Sequence, residues 1–131
     1  MNAIQTREDI DHLLALFYSR IRTEPVIGPI FNATIPDDHW PGHLSIIGDF
    51  WETILLHAAR YKRAPIPPHI RLDKIFPLEP DHFNRWVGLF HQTVDELYAG
   101  EVAEEAKKRA SLMAKLIAFK VQAARTNGFV Q

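Results

Sequence analysis

Histidine carries most of this chain's candidate chemistry. The sequence has seven histidines and no cysteine, so imidazole is the group best suited to bind a metal ion or transfer a proton near neutral pH. His39 and His43 have the helical spacing that lets two imidazoles share one metal. No glutamate follows His39, so the metalloprotease motif is absent, and only Asp37 and Asp38 lie nearby as further ligands. A zinc site here is therefore an alternative without a complete ligand set.

A second group of residues combines a polar tip with a position on or beside an apolar helical stripe. Its members are Tyr18, His43, His69 and Trp86. One such residue is ordinarily a core side chain whose hydrogen bond is satisfied. Two imidazoles, a phenol and an indole in one apolar interior need a common bonding partner. A small ligand held by a metal centre would serve as that partner.

Three prolines precede His69 within the segment APIPPHIRL, namely Pro65, Pro67 and Pro68. Proline fixes φ and is preorganised for the first turn of a helix. We therefore predict a short, proline-started helix around His69. Such a helix would define the direction of the His69 side chain locally, without support from a long helix.

The remaining histidines fall at places where an ordinary structural role is expected. His12, His82 and His91 lie on or near polar faces and are predicted to be solvated, while His57 ends a helix and faces free carbonyls. The chain has no nucleophile-elbow pattern and no glycine-rich phosphate loop. Serine hydrolase chemistry is therefore not favoured.

Helical periodicity positions these residues, and no segment alternates apolar and polar residues. A capping box of Thr6 and Asp9 predicts the start of the first helix, which Pro25 ends. The stretch EPVIGPIFNATI predicts a tight corner with at most short helical turns. The other predicted elements are a helix beginning after Asp37 or Asp38, a loop over 58–66, the short helix around His69, and helices over 80–98 and 101–124. The class is all-α, with four substantial helices and one short one.

Composition restricts the class of protein further. The 131 residues, 47% of them hydrophobic, are enough for a core, and we predict a single domain over 1–131 with a loose tail at 125–131. The net charge of −1, without a basic stripe, makes nucleic acid and membrane surfaces poor partners. Charges within the first 25 residues argue against a signal peptide, and no run approaches membrane-spanning length. A cytoplasmic location is expected.

Four segments resemble the group III truncated haemoglobins, in the same order and with closely similar spacing. They are FYSRIRTEPVIGPIF, HWPGHLSIIGDFWETILL, RYKRAPIPPHIRL and HFNRWVGLFHQTVDELY. The resemblance extends over roughly residues 5–122. It implies a truncated globin fold, a two-over-two helical sandwich in which the first and second helices cross the last two around a haem b. Without cysteine, covalent c-type attachment of that haem is excluded.

The resemblance also implies a role for each candidate residue. His69 matches the proximal iron ligand, and Tyr18, His43 and Trp86 match the distal, ligand-binding positions. Residues that would contact the haem as apolar wall are Phe31, Ile47, Phe50, Trp51, Leu72, Ile75 and Phe76. His43 could swing towards solvent or bind the iron itself. Arg71 could reach a haem propionate or only water. The chain departs from the family at His57, Ala59 and Arg63, near places where glycine is common. This departure affects the expected conformation of the loop before His69 rather than the assignment of the iron ligand.

The implied function is the binding of O₂, or of NO or CO, at a five-coordinate haem iron with polar distal donors. Two donors, Tyr18 and Trp86, predict slow oxygen release, which suits O₂ or NO chemistry or sensing better than delivery. Whether the protein is an enzyme stays open. One alternative is a peroxidase-like or NO-detoxifying enzyme with a separate reductase, since the chain has no flavin or nicotinamide motif. Another is a cofactor-free helical interaction module, which the amphipathic stripes alone would explain.

Overall fold

The computed structural model describes residues 2–57, 66–75 and 77–127, and these residues form six α-helices and one 3-10 turn. The helices are α1 (Arg7–Thr23), α2 (Gly28–Thr34), α3 (Trp40–Leu56), α4 (Ile66–Ile75), α5 (Pro80–Leu97) and α6 (Glu101–Asn127), with the 3-10 turn Asp37–His39 before α3. Over the described ranges no strand is present beyond an isolated bridge between Asn2 and Tyr98. The all-α prediction is confirmed.

The predicted loop and tail lie largely outside the described residues, namely at 58–65 and 128–131. Ile66, predicted as loop, belongs to α4, and residues 125–127, predicted as loose tail, belong to α6. None of the helices in the described part of the chain has an apolar stretch of the length needed to cross a membrane.

Local signals start and stop α1 as the sequence predicts. The Thr6 hydroxyl accepts a hydrogen bond from the Asp9 backbone N–H at 3.2 Å. The Asp9 carboxylate in turn accepts from the backbone N–H groups of Gln5 at 2.8 Å and Thr6 at 3.1 Å. This reciprocal capping box satisfies backbone donors that have no partner within the helix. The helix ends at Thr23, two residues before Pro25.

Two pairs of helices form the main body. In one pair α1 packs on α3, in the other α5 packs on α6, and α1 also packs on α5. The buried core includes the apolar stripe of α1 and a group of aromatic side chains. In this group the ring centroid of Phe17 lies 5.4 Å from that of Trp86 and 5.1 Å from that of Phe90. Edge-to-face pairs of this kind stabilise beyond their buried area. The aromatic contacts hold α1 and α5 at a fixed separation.

The short helix α4 belongs to a second, smaller apolar cluster. Its buried members are Ile70 of α4 with Ile117 and Val121 of α6. In the described ranges α4 packs extensively only against α6. The position of α4 is therefore set mainly by one neighbour.

The guanidinium of Arg7 joins the start of α1 to α3, a feature we name the Arg7 clamp. Nη1 donates to Asp49 at 2.7 Å and to Glu52 at 2.8 Å, and Nη2 donates to the Ser45 carbonyl at 3.0 Å. The guanidinium lies directly over Gly48, where a side chain would occupy its place. A side chain at position 48 would therefore displace the guanidinium from its place in the clamp.

Replacing Gly48 with alanine is expected to leave the protein about 1 kcal/mol less stable than the same change at Gly88, because displacing the guanidinium weakens charge-assisted hydrogen bonds of the clamp and offsets the gain in helix propensity. The new Cβ would lie 2.5 Å from Arg7 Nη2. The matched control is Gly88→Ala in α5, where no atom lies within 4 Å of the new methyl group. That change should raise the free energy of unfolding by about 0.5–1 kcal/mol. Urea unfolding measures both, and equal stabilisation by the two variants would contradict a role for the clamp.

Candidate functional site

A cavity of about 450 Å³ lies between the helices, with all six contributing to its wall. Small-molecule and cofactor sites commonly have about 300–1,000 Å³. The wall is mainly apolar, with a few polar groups among its residues. All but two of the predicted site residues line it: Tyr18, Phe31, His43, Ile47, Phe50, Trp51, His69, Leu72 and Trp86. Phe76 lies outside the described residues, as does the side chain of Ile75.

Tyr18 and Trp86 form a polar pair in an apolar part of the wall. Tyr18 is only 6% exposed. Burial raises the pKa of Tyr18 to about 12, and a hydrogen bond from the Trp86 indole acts in the opposite direction. The phenol is therefore protonated at neutral pH. While its oxygen accepts from Trp86, its O–H is available to donate to a molecule in the cavity.

Aromatic packing fixes the Tyr18 ring. The ring lies edge-to-face with Phe17 at 4.7 Å between centroids and with His43 at 6.4 Å. It also contacts Phe31 at 6.0 Å and Trp40 at 5.8 Å. Because these neighbours come from α1, α2 and α3, the hydroxyl is held by tertiary packing rather than by local structure.

His43 is kept neutral by its surroundings. Burial lowers the pKa of His43, and the positive charge of a protonated His69 would lower it further. The two imidazoles therefore interact electrostatically within one interior, although 26 residues separate them in the sequence. A neutral ring keeps one nitrogen as donor and the other as acceptor.

The His39–His43 zinc alternative receives no support from the geometry. His39 lies in the 3-10 turn with its side chain 68% exposed, near Asp38, whereas His43 faces the cavity. Over the residues that the structure describes, no three His, Asp or Glu side chains group so that they could hold a metal ion. A single imidazole such as that of His69 can still be the sole protein ligand of an iron held by a macrocycle.

His69 reaches the cavity from α4. It is half-buried, and Pro68 and Leu72 line the cavity beside it. The helix begins at Ile66, so Pro67 and Pro68 lie in its first turn, as predicted. This arrangement gives the imidazole a direction set within one short helix.

An ion pair between buried Asp73 and partly exposed Arg125, which we name the Asp73–Arg125 latch, ties α4 to the end of α6. Arg125 Nε donates to Asp73 Oδ2 at 2.9 Å and Nη2 donates to Oδ1 at 2.5 Å. Asp73 is 8% exposed, and its Oδ1 also accepts from the Leu78 N–H at 2.7 Å. The Arg125 hydrogen bonds hold the pKa of Asp73 below its ordinary value. Because Asp73 lies one helical turn after His69, the latch fixes the turn that carries the imidazole.

Two histidines predicted to be solvated are instead partly buried and bonded. His82 lines the cavity, and its Nδ1 accepts from the Glu79 backbone N–H at 2.9 Å. His91 Nε2 lies 3.0 Å from the Lys107 carbonyl and 2.9 Å from the Ser111 hydroxyl. Both predictions were wrong, because His82 faces the cavity and bonds to the start of its own helix, while α6 covers His91.

Other cavity residues were missed although the sequence carried a signal for some of them. Phe83 of α5 and Met113 and Ile117 of α6 line the cavity, and each belongs to a series of apolar residues with helical spacing in the sequence. Periodicity identified them as core without separating core from cavity wall. Ile30 and Thr34 of α2 had no signal, because that segment was expected to be a corner.

Comparison with known proteins identifies the fold and the family. The crystal structure of a group III truncated haemoglobin from Campylobacter jejuni superposes with a TM-score of 0.83 and 29% sequence identity, covering 92% of this chain and 95% of the other. The fold is that of a truncated globin. No family model matches the chain. The group 3 truncated haemoglobin ctb of Campylobacter jejuni is 32% identical over 110 residues, which cover 82% of this chain and 84% of that protein. The chain belongs to the group III truncated haemoglobins, as the sequence predicted.

Membership of this family implies a haem group that binds diatomic ligands. The cavity fits such a group in two respects. Its wall is mainly apolar, as the macrocycle requires, and an imidazole enters it from α4 while polar groups enter from α1, α3 and α5. Arg71, one candidate for a propionate contact, is exposed.

Proposed function

We propose that this truncated haemoglobin binds O₂, or NO or CO, at a five-coordinate haem b that His69 ligates. One observation carries the proposal. A single cavity is lined by His69 from α4 and, from other helices, by neutral His43 and the Tyr18–Trp86 pair. A bound haem would supply an iron with one open position for a diatomic ligand. The absence of cysteine leaves non-covalent attachment, which is the reason for assigning haem b.

The chain's own residues would decide how long the ligand stays. Tyr18 is protonated and donates towards the outer, partly negative atom of the ligand. Trp86 has a single indole N–H, which either orients the phenol or, turned towards the ligand, acts as a second donor. Each hydrogen bond contributes about 1 kcal/mol net, and more where water is excluded. Slow release follows, which favours O₂ or NO chemistry or sensing over delivery.

Neutral His43 favours a second candidate, a peroxidase-like or NO-detoxifying activity. A neutral imidazole beside Tyr18 can accept a proton, as a distal base must. It can do so only within hydrogen-bond reach of the bound molecule. Either activity also requires electrons from a separate reductase.

Absorption spectra of the ferric, ferrous and CO-bound forms test the proposal. Protein supplied with haem should show an intense Soret band, and the ferrous form should be five-coordinate through histidine. A ferrous spectrum with two histidine ligands would show instead that His43 binds the iron. Absence of haem binding, with a cooperative unfolding transition that haem leaves unchanged, would contradict the proposal and favour the cofactor-free interaction module.

Breaking the Asp73–Arg125 latch is expected to speed haem loss several-fold at neutral pH, because α4 would hold His69 less firmly. Arg125→Gln removes the guanidinium, and transfer of haem to excess apomyoglobin measures the rate. The matched control is Arg109→Gln, which breaks an exposed ion pair with Glu105 on the same helix. Exposed ion pairs of that kind contribute little to the stability of the folded protein. Equal haem loss from both variants would contradict the role of the latch.

The latch also predicts how haem retention depends on pH. The pKa of Asp73 is lower in the folded protein than in the unfolded chain, so its contribution is complete above the unfolded pKa of about 3.9. The contribution is lost as the pH falls through the lower, folded value. As the pH falls from about 4 through the folded pKa of Asp73, the rates of haem loss from the unmodified protein and from Arg125→Gln should therefore converge.

A further inference from the structure

The outer face of α6 carries an apolar stripe. The large hydrophobic side chains that are exposed among the described residues are Leu112 at 52%, Leu116 at 45% and Phe119 at 66%. Their spacing of four and three residues places all three on one face of the helix. Singly scattered exposed hydrophobic residues are normal, whereas a contiguous group indicates an interaction site.

Lysines frame this stripe. At 100° per residue, Lys108 and Lys115 lie on one side of it and Lys120 on the other, and all three are exposed. Within the described ranges none of the three has an acidic side chain in ion-pair range. By contrast, Lys107 pairs with Asp95 and Glu104 at 2.7 Å and 2.9 Å. The unpaired rim is cationic although the whole chain has a net charge of −1. We name Leu112, Leu116, Phe119 and these three lysines the α6 patch.

The same turns of α6 line the cavity on their other side. Met113, Ala114 and Ile117 belong to the cavity wall. An α-helix with its side chains is about 10–12 Å across. The α6 patch is therefore separated from the cavity by about the thickness of one helix, a short path for an electron.

The composition of the patch limits its occupant. Three apolar side chains form a small contact, and small interfaces are typical of weak electron-transfer encounters rather than stable oligomers. A second copy in a symmetric dimer would bring the lysine rims together, which costs free energy. A helix that lies on a membrane surface buries a broad apolar face. The inner apolar side chains of α6 already pack against α4, so only the outer stripe would be available to a membrane. The surface of a partner that complements the α6 patch would have an apolar centre surrounded by acidic side chains.

We propose that the α6 patch docks an electron-transfer protein whose exposed redox centre lies in an apolar surface with an acidic rim. This inference rests on the proposed function, since it requires a haem in the cavity. In each encounter one electron would leave the partner's reduced cofactor, which is oxidised by one electron, and would reduce the iron from ferric to ferrous. No bond forms or breaks in this step.

The test measures binding of a purified flavodoxin, a small acidic flavin protein, to the haem-loaded chain by calorimetry and by NMR shift changes. At about 10 mM ionic strength, where charges act over about 30 Å, the unmodified protein should bind it. At about 0.15 M, where they act over about 8 Å, binding should weaken about tenfold or more. Shift changes should centre on α6 between Lys108 and Lys120.

Two variants and a charge-matched control separate the patch from general charge. Lys115→Gln with Lys120→Gln, and Leu112→Ser with Phe119→Ser, should each weaken binding about tenfold. The control is Asn84→Glu with Gln92→Glu, which changes the net charge by the same −2 at exposed positions of α5. That control should bind within about twofold of the unmodified protein.

Several results would overturn the docking proposal. They are failure of the unmodified protein to bind flavodoxin, equal loss in the control, a stable dimer in sedimentation, and binding to vesicles containing phosphatidylglycerol in preference to flavodoxin. The Soret band is recorded on each sample before titration. A missing Soret band therefore contradicts the proposed function, while a present band with no flavodoxin binding contradicts only the docking proposal.

Discussion

Replacing His69 with glycine is expected to abolish the five-coordinate histidine spectrum and to weaken haem binding by at least about a hundredfold. Loss of the iron ligand removes several kcal/mol of binding, and about 1.4 kcal/mol corresponds to a tenfold change. The residual affinity would come from the apolar cavity wall alone. Haem transfer to apomyoglobin and the ferrous absorption spectrum measure the two effects.

Exogenous imidazole should restore the histidine-like spectrum of His69→Gly, because it can occupy the space that the side chain leaves. The matched control is His82→Gln, which removes a second imidazole from the cavity wall. His82 caps the start of α5, so its loss should cost stability while leaving the spectrum of the iron unchanged. A native spectrum in His69→Gly without added imidazole would contradict the assignment of His69.

Removing either donor of the polar pair is expected to speed O₂ dissociation about fivefold to tenfold. Tyr18→Phe deletes a hydrogen bond of about 1 kcal/mol or more to the ligand, and Trp86→Phe deletes either a second such bond or the bond that orients the phenol. Stopped-flow displacement of O₂ by CO measures the rates. Unchanged rates in both variants would exclude a donor role for the pair.

The two substitutions should not be additive, because the Trp86 indole donates to the Tyr18 oxygen. Trp86→Phe removes the N–H that orients the phenol, so part of its effect acts through Tyr18. The double variant should therefore release O₂ more slowly than the product of the two single effects predicts. Tyr98→Phe is the control. It deletes another buried hydroxyl, which donates to the Asp9 carbonyl at 3.1 Å outside the cavity wall. Its dissociation rate should equal that of the unmodified protein.

Local signals predicted the elements that position the site. Thr6 with Asp9, Pro25 and the prolines before His69 each act within a turn of the backbone, so α1 and α4 could be placed from the sequence. The segment after Pro25 was expected to be a corner with short helical turns at most, and it contains the seven-residue helix α2. Gly28 explains the difference. A Cβ there would lie 2.8 Å from the Arg22 carbonyl, so only glycine permits α2 to start this close to the end of α1.

Features that depend on distant residues could not be predicted in the same way. The latch joins residues 52 apart, and the two bonds of His91 reach residues 16 and 20 positions away. Helical periodicity shows which face of α5 is apolar, but it does not show that α6 covers part of the polar face. The candidate cavity residues came from the resemblance to a family, because members of one family share a fold and therefore share which residues lie close together in space. Composition and spacing alone led only to a set of polar groups in an apolar interior.

The separation of α4 from the main core has a consequence for cofactor uptake. Since Ile70 joins a small cluster on α6 rather than the core around Phe17, α4 can detach while the other helices stay packed. We expect its amide hydrogens to exchange with solvent through local opening, much faster than those of α1 in the haem-free protein. Equal protection of α1 and α4 would contradict this. Haem would then enter a largely preassembled body and be captured when one short helix closes on it.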